Sequence, residues 1–222
     1  MAIKQKRLPR APRHTQRRGD SRRRDLLQAA GELILRHPLR DLTYAGVCKR
    51  AGVPVGSAHH FYPDLDAIYL ALLEEHRAAK DEALFKPIPA RLRHSWQAVI
   101  GCLVDRAVRY HRAHPVVTKL AIGGETPPNI KLWDRQADRA RAALSMQVLG
   151  QLFVLPDGIE VAHAAFVTTE IVDTVLMLSM IEHGRLTPLH VRLAKAAAIG
   201  FLMMHLGPTL PVRDAPTGST SA

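Results

Sequence analysis

Between Leu42 and Tyr62 the chain gathers side chains suited to reading and holding a polyanion. Val55, Gly56 and Ser57 follow one another directly after Pro54. A valine can touch a thymine methyl, and a serine hydroxyl can donate to or accept from a base edge. Gly56, having no side chain, lets backbone come close to a duplex. Thr43, Tyr44, His59 and His60 supply the polar atoms that phosphate oxygens take. Phe61 and Tyr62 fit a core better than a nucleic-acid surface.

Two short helices joined by a tight turn would place these groups. Thr43 can N-cap the first, its hydroxyl oxygen accepting from a free amide of the opening turn. Val47 and Ala51 form a small apolar stripe four residues apart. Gly52 suits the left-handed residue that ends a helix, and Pro54 fits a first helical position. The second helix is predicted to run to about Tyr62, where Pro63 intervenes. This is the helix-turn-helix pattern, whose second helix enters the DNA major groove with its N-terminal residues at the bases.

The residues carrying that pattern also resemble a known family. Thr43, Ala51-Gly52-Val53, Gly56-Ser57-Ala58-His59-His60-Phe61-Tyr62-Pro63 and Asp66-Ala67-Ile68 are similar to the DNA-binding domain of TetR family transcriptional regulators. Arg23 and the apolar helix from Leu26 to Leu35 match that family's first helix. The resemblance covers roughly residues 21 to 75. Pro54 stands where the family usually has a capping Ser, His59 replaces a phosphate-contacting Tyr, and Asp64-Leu65 replaces Ser/Thr-Lys. The resemblance implies DNA contacts from Arg22, Arg23, Thr43, Tyr44, Val55, Gly56, Ser57, His59 and His60. It also implies a long fourth helix leading to a second domain, an effector pocket among the middle helices, and a four-helix dimer interface from the last two.

Composition is consistent with an all-α protein. Hydrophobic residues make up 47% of the 222 but aromatics only 5%, a Leu/Ala/Val/Met core that suits helices. The net charge of +11 sits mostly in residues 1–24, which hold ten Lys/Arg against one Asp. Such an arm is disordered when free and, beside a helix-turn-helix, is expected to touch DNA. Cys48 and Cys102 form no CxxC motif, so neither a metal site nor a disulfide framework is indicated, and a cytoplasmic location fits. The N-terminus lacks a signal peptide's apolar region. The apolar runs 174–181 and 196–204 fall short of the roughly 20 residues of a membrane span. No nucleophile–base arrangement, phosphate loop or cofactor motif marks an enzyme.

Four segments follow: a disordered basic arm, 1–20; a helix-turn-helix domain, 21–80, its first helix capped by Ser21; a helical effector-binding and dimerisation domain, 88–207, beyond the breaks at Pro87 and Pro89; and a disordered tail, 208–222. In the helix expected over about 159–183, His163, Phe166, Glu170, Asp173 and Met177 share one stripe. A buried carboxylate needs a partner. Either Arg135, Arg139 or Arg141 pairs with Glu170 and Asp173, or the pair lines a ligand cavity. In the second case the effector is cationic, and Trp96, Trp133 and Phe166 could stack on it. A metal at His163 and Glu170 has no ligand spacing behind it. The helix from about 187 to 206 is apolar nearly all round, so it is either the centre of a monomeric bundle or a dimer element. Ile171, Val175, Leu193, Ala194, Ala197, Ala198 and Phe201 are the expected dimer interface. The reading is a homodimeric repressor released from a palindromic double-stranded operator by a small-molecule effector, without cofactor, metal or membrane. The competing reading is a basic protein that coats DNA without sequence preference.

Overall fold

The computed structural model describes residues 13–156 and 158–213, without side chains for 13–17 and 159. Among these are nine α-helices: α1 (Arg13–Arg36), α2 (Tyr44–Ala51), α3 (Val55–Ala58), α4 (Leu65–Leu84), α5 (Trp96–Ala113), α6 (Pro115–Ala121), α7 (Pro128–Leu152), α8 (Ile159–His183) and α9 (Pro188–Leu206). They form two compact units, residues up to Ala71 and residues from Leu72 on. The boundary lies inside α4, earlier than the prolines at 87 and 89 suggested. The reason is that the second half of α4 belongs to the second unit's packing: Asp81 accepts from Arg141 of α7, and the Leu84 carbonyl accepts from Arg106 of α5.

In the first unit, Leu26, Ala30 and Ile34 of α1 are fully buried, as are Val47 of α2, Ala58 of α3 and Ile68 of α4. α1 begins eight residues before Ser21, so the expected cap lies within the helix and its hydroxyl meets Asp25 at 3.4 Å. Residues 13–20 contain no proline, and three Arg and one Gln among them are good helix formers. The rest of the basic arm, 1–12, lies outside the described residues. α3 is shorter than expected. Its bonding loosens after His59, whose N–H reaches the Val55 carbonyl, because Tyr62 precedes a proline and is steered away from the helical region. Asp64 then opens α4, its Oδ1 accepting from Ala67 N at 2.8 Å.

The second unit is built on Trp96, Val99, Leu149, Phe153, Leu176, Ala194, Ala198 and Leu202, all nearly inaccessible. Ser95 caps α5 and Thr187 caps α9 through their side-chain oxygens. Gly184, at φ 64°, closes α8. Past α9, the chain from Pro208 to Arg213 is not a free tail. Gln97 Nε2 donates to the Pro208 carbonyl (2.7 Å), Val154 N to Pro211 O (2.8 Å) and Arg213 N to Leu152 O (2.8 Å). Residues 214–222 lie outside the described set.

α8 and α9 are, by length and composition, apolar enough to cross a bilayer, with mean hydropathies of 1.6 and 1.2, which the shorter uninterrupted runs had concealed. They pack on each other, α9 on α5 and α8 on α7. α8 also carries Glu170 and Asp173 mid-length.

Candidate functional site

Thr43 Oγ1 accepts from Gly46 N at 3.0 Å, and Gly52 takes φ 66°, so the α2 cap and the turn form as their residue types dictate. The first residues of α3 are left outward. Val55 is 42% exposed, and a Cβ built on Gly56 would meet nothing within 4 Å. Ser57 is half-buried and His60 exposed. Tyr44 departs from expectation: its hydroxyl donates to the Tyr62 carbonyl at 2.6 Å, so it is committed to the fold. Its ring stacks on His59, centroids 4.8 Å apart. His59 Nδ1 lies 2.9 Å from the Pro63 carbonyl, which can only accept, so that nitrogen carries the proton and Nε2 points away. Tyr44 thus positions His59 rather than reaching for phosphate. The Arg23 guanidinium lies 5.6 Å from the Phe61 ring centroid, and Arg22 is exposed beside it in sequence.

The second unit contains a cavity of about 90 Å³ walled by α4, α5, α7, α8 and α9. Leu84, Ile100, Leu103, Val104, Val172 and Leu202 make it mostly apolar; Lys80, His111, Asp138, Arg141 and Asp173 are its charged or titratable wall. A second cavity of about 100 Å³ shares Asp138 and Asp173 and adds Lys131, Asp134, Arg135, Glu170 and Met177. The two carboxylates therefore form a partition between an apolar and a polar space.

The stripe on α8 splits between the two alternatives. Arg135 Nε donates to Glu170 Oε2 at 3.1 Å, an ion pair. Arg139 lies over Phe166 at 4.2 Å, so that ring already has its cation. Arg141 Nη1 donates to Asp138 (2.6 Å) and Nε to Asp81 (2.9 Å), with Asp134 3.8 Å from Nη1. Asp173 makes no hydrogen bond or ion pair with any described residue. Burial pushes its carboxyl well above the ordinary carboxylate range, and Asp138 adds to that, while Lys80 and Arg141 oppose it. Burial and Asp138 likewise raise Asp134. Lys80, 6% exposed, is also without a hydrogen bond or ion pair among the described residues. Burial drives His111 well below its ordinary value, with Lys80 and Arg141 acting the same way, so it is a neutral wall.

Of the expected pocket residues, Asp173 lines both cavities, and Glu170 and Met177 line the second. Trp96 is buried in the core and Trp133 sits against Arg77 at 5.9 Å; neither lines either of these two cavities. Lys80 and Asp138 were missed, and Arg141, expected as a partner of Glu170 or Asp173, binds Asp81 and Asp138 instead. Asp134, Asp138 and Arg141, at i, i+4 and i+7 of one helix, were the available signal.

The segment 94–206, spanning α5 to α9, matches the family model described as Tetracyclin repressor-like, C-terminal domain. The chain belongs to the TetR family of transcriptional regulators. A TetR-family transcriptional regulator from Streptomyces coelicolor aligns over 83% of this chain and 99% of its own, at TM-score 0.61 and 18% identity. A TetR transcriptional regulator from Rhodococcus sp. RHA1 does so over 83% and 97%, at 0.59 and 19%. At these identities the likeness is one of fold. No curated protein matches. The TetR assignment accounts for a helix-turn-helix in the first unit and for the helical second unit together.

Proposed function

We infer that this TetR-family protein is a homodimeric repressor that leaves a palindromic operator when a small cationic molecule enters the second unit. The observation that carries the reading is Asp173, a carboxyl group without a hydrogen-bond or ion-pair partner among the described residues, in the wall of an apolar cavity. Around it, Arg141 is already held by Asp138 and Asp81, with Asp134 close by, so the arginine of this wall is engaged by other carboxylates. An effector's ammonium would restore the ionised form of Asp173, and its apolar body would lie against Leu103, Val104 and Val172.

The cavity's size supports a mechanical release. At about 90 Å³ it is smaller than the roughly 150 Å³ void that takes benzene in an engineered core. A larger ligand seated against Asp173 would press on the helices that wall it. Lys80 and Leu84 of α4 are in that wall, and α4 begins immediately after the recognition segment. A ligand that binds the parted arrangement better than the closed one shifts the population toward it. In a dimer whose half-sites lie at fixed spacing, a shift of α4 would cost one major-groove contact.

Dimerisation is supported by an apolar stripe left exposed on each of the last two helices. On α9 it is Leu189, Leu193, Ala196, Gly200 and Met203; on α8 it is Leu178 and Ile181, with half-buried Ile171 at the same register. Val175, Ala197 and Phe201 are half-buried, whereas Ala194 and Ala198 are inaccessible within the protomer and cannot meet a partner. The test of the proposal is operator release by a panel of alkyl amines and quaternary ammonium compounds. Wild type should be released and Asp173→Asn should stay bound; equal release of both would remove Asp173 from the effector site.

A further inference from the structure

The turn joining α8 to α9 brings together three side chains that neither DNA binding nor ligand release uses: Glu182 and His183 at the end of α8, and His190 in the first turn of α9. Their ligating atoms lie within 4.8 Å of one another. Glu182 Oε2 is 3.5 Å from His183 Nε2 and 3.3 Å from His190 Nε2. Two ligands each about 2.0–2.1 Å from a tetrahedral zinc ion stand roughly 3.4 Å apart. Two of the three edges thus already have the length that coordination requires. The third lies within 4.8 Å and has to shorten, and the exposed side chain of His183 has room to move.

His190 is the fixed member, its side chain 9% exposed. Its Nδ1 lies 2.9 Å from Thr187 Oγ1, which leaves Nε2 as the atom facing Glu182. A hydrogen bond at the other ring nitrogen is how a metal-ligating histidine is usually oriented and its tautomer set. Thr187 is itself held, its N–H donating to Ser179 Oγ at 2.9 Å while that hydroxyl donates to the Arg185 carbonyl at 2.8 Å.

We propose that Glu182, His183 and His190 bind one divalent transition-metal ion, zinc being the best match, with water in the fourth position. Two imidazoles and one carboxylate suit zinc, whereas calcium and magnesium take oxygen ligands. The ion would tie the last turn of α8 to the first turn of α9, independently of the effector cavity.

The test is titration of the tag-free full-length protein with zinc chloride, followed by calorimetry, in the presence of excess magnesium. One ion per protomer should bind. Loss of even an outer-shell partner commonly costs about 10–100-fold in metal affinity, so His183→Ala and Glu182→Gln, both at exposed positions, should each weaken binding at least about tenfold. Circular dichroism of the variants should match wild type. The proposal is overturned if the double variant binds zinc as wild type does, which would send the ion to other histidines, or if wild type takes up none at micromolar zinc.

Discussion

Asp173 shows how far a single residue could be read in advance. An acid in the run IVDTVLMLSMI had to be paired or to face a cavity, and the two possibilities could not be separated along one helix. The answer depended on α7, where Arg135 turns to Glu170 and Arg141 is taken by Asp81 and Asp138. The consequence for stability has a definite sign. The native carboxyl keeps its proton above about pH 4, where an unfolded Asp gives it up. The folded state therefore binds more protons, and the contribution of this residue falls as pH rises from about 4 until the native group ionises. Asp173→Asn cannot ionise, so it should melt higher than wild type at pH 7, with the gap closing toward pH 4. A variant that melts lower at pH 7 would mean that the carboxylate is an ion-pair partner. At the DNA-facing end, Val55→Glu places a negative charge on an exposed first-turn residue. Specific binding should be lost by about tenfold or more, each good base contact being worth about 1–3 kcal/mol, with helix content unchanged. Retained operator affinity would take Val55 off the recognition surface.

Individual elements were legible wherever a cap or breaker announced them. Thr43 and Thr187 both cap as their types suggest, and α7, α8 and α9 end within a residue of expectation. Other ends moved further: α1 continues through residues with no breaker, α3 stops early because of Pro63, α4 runs on to Leu84, and α5 starts at Trp96 rather than about 91, where Ser95 caps it. What α9 could not disclose was which of its faces is covered. An apolar circumference looks alike on every side, and only packing against α5 and α8 separates Ala194 and Ala198 from Leu189, Leu193 and Met203. Two substitutions therefore part ways. Leu193→Glu puts a charge on the exposed stripe and should give folded monomers by sedimentation. Ala198→Glu puts one in the protomer core, where an unpaired charge costs several kcal/mol, and should unfold the second unit. Leu193→Glu sedimenting as a dimer would move the interface off this stripe.

At the scale of the whole molecule, the basic charge is concentrated at the N-terminal end, with four cations ahead of α1 and six in its first half. Because α1 begins at Arg13, deletion of residues 1–12 removes Lys4, Lys6, Arg7 and Arg10 and leaves the helix whole. If these reach phosphates, the log–log salt slope of DNA binding should flatten by up to about 0.9 for each cation lost. An unchanged slope would keep the arm away from DNA. The second unit matches the family model and the first leaves Val55 exposed at the start of α3, so the central claim proposed is that the chain reads one two-fold site. The most direct measurement is a nuclease footprint of the full-length protein across the DNA flanking its own coding sequence. The account predicts one protected palindromic stretch, released when an amine effector is added. Uniform protection along the fragment would contradict it and make the protein a coat on DNA rather than a reader of it.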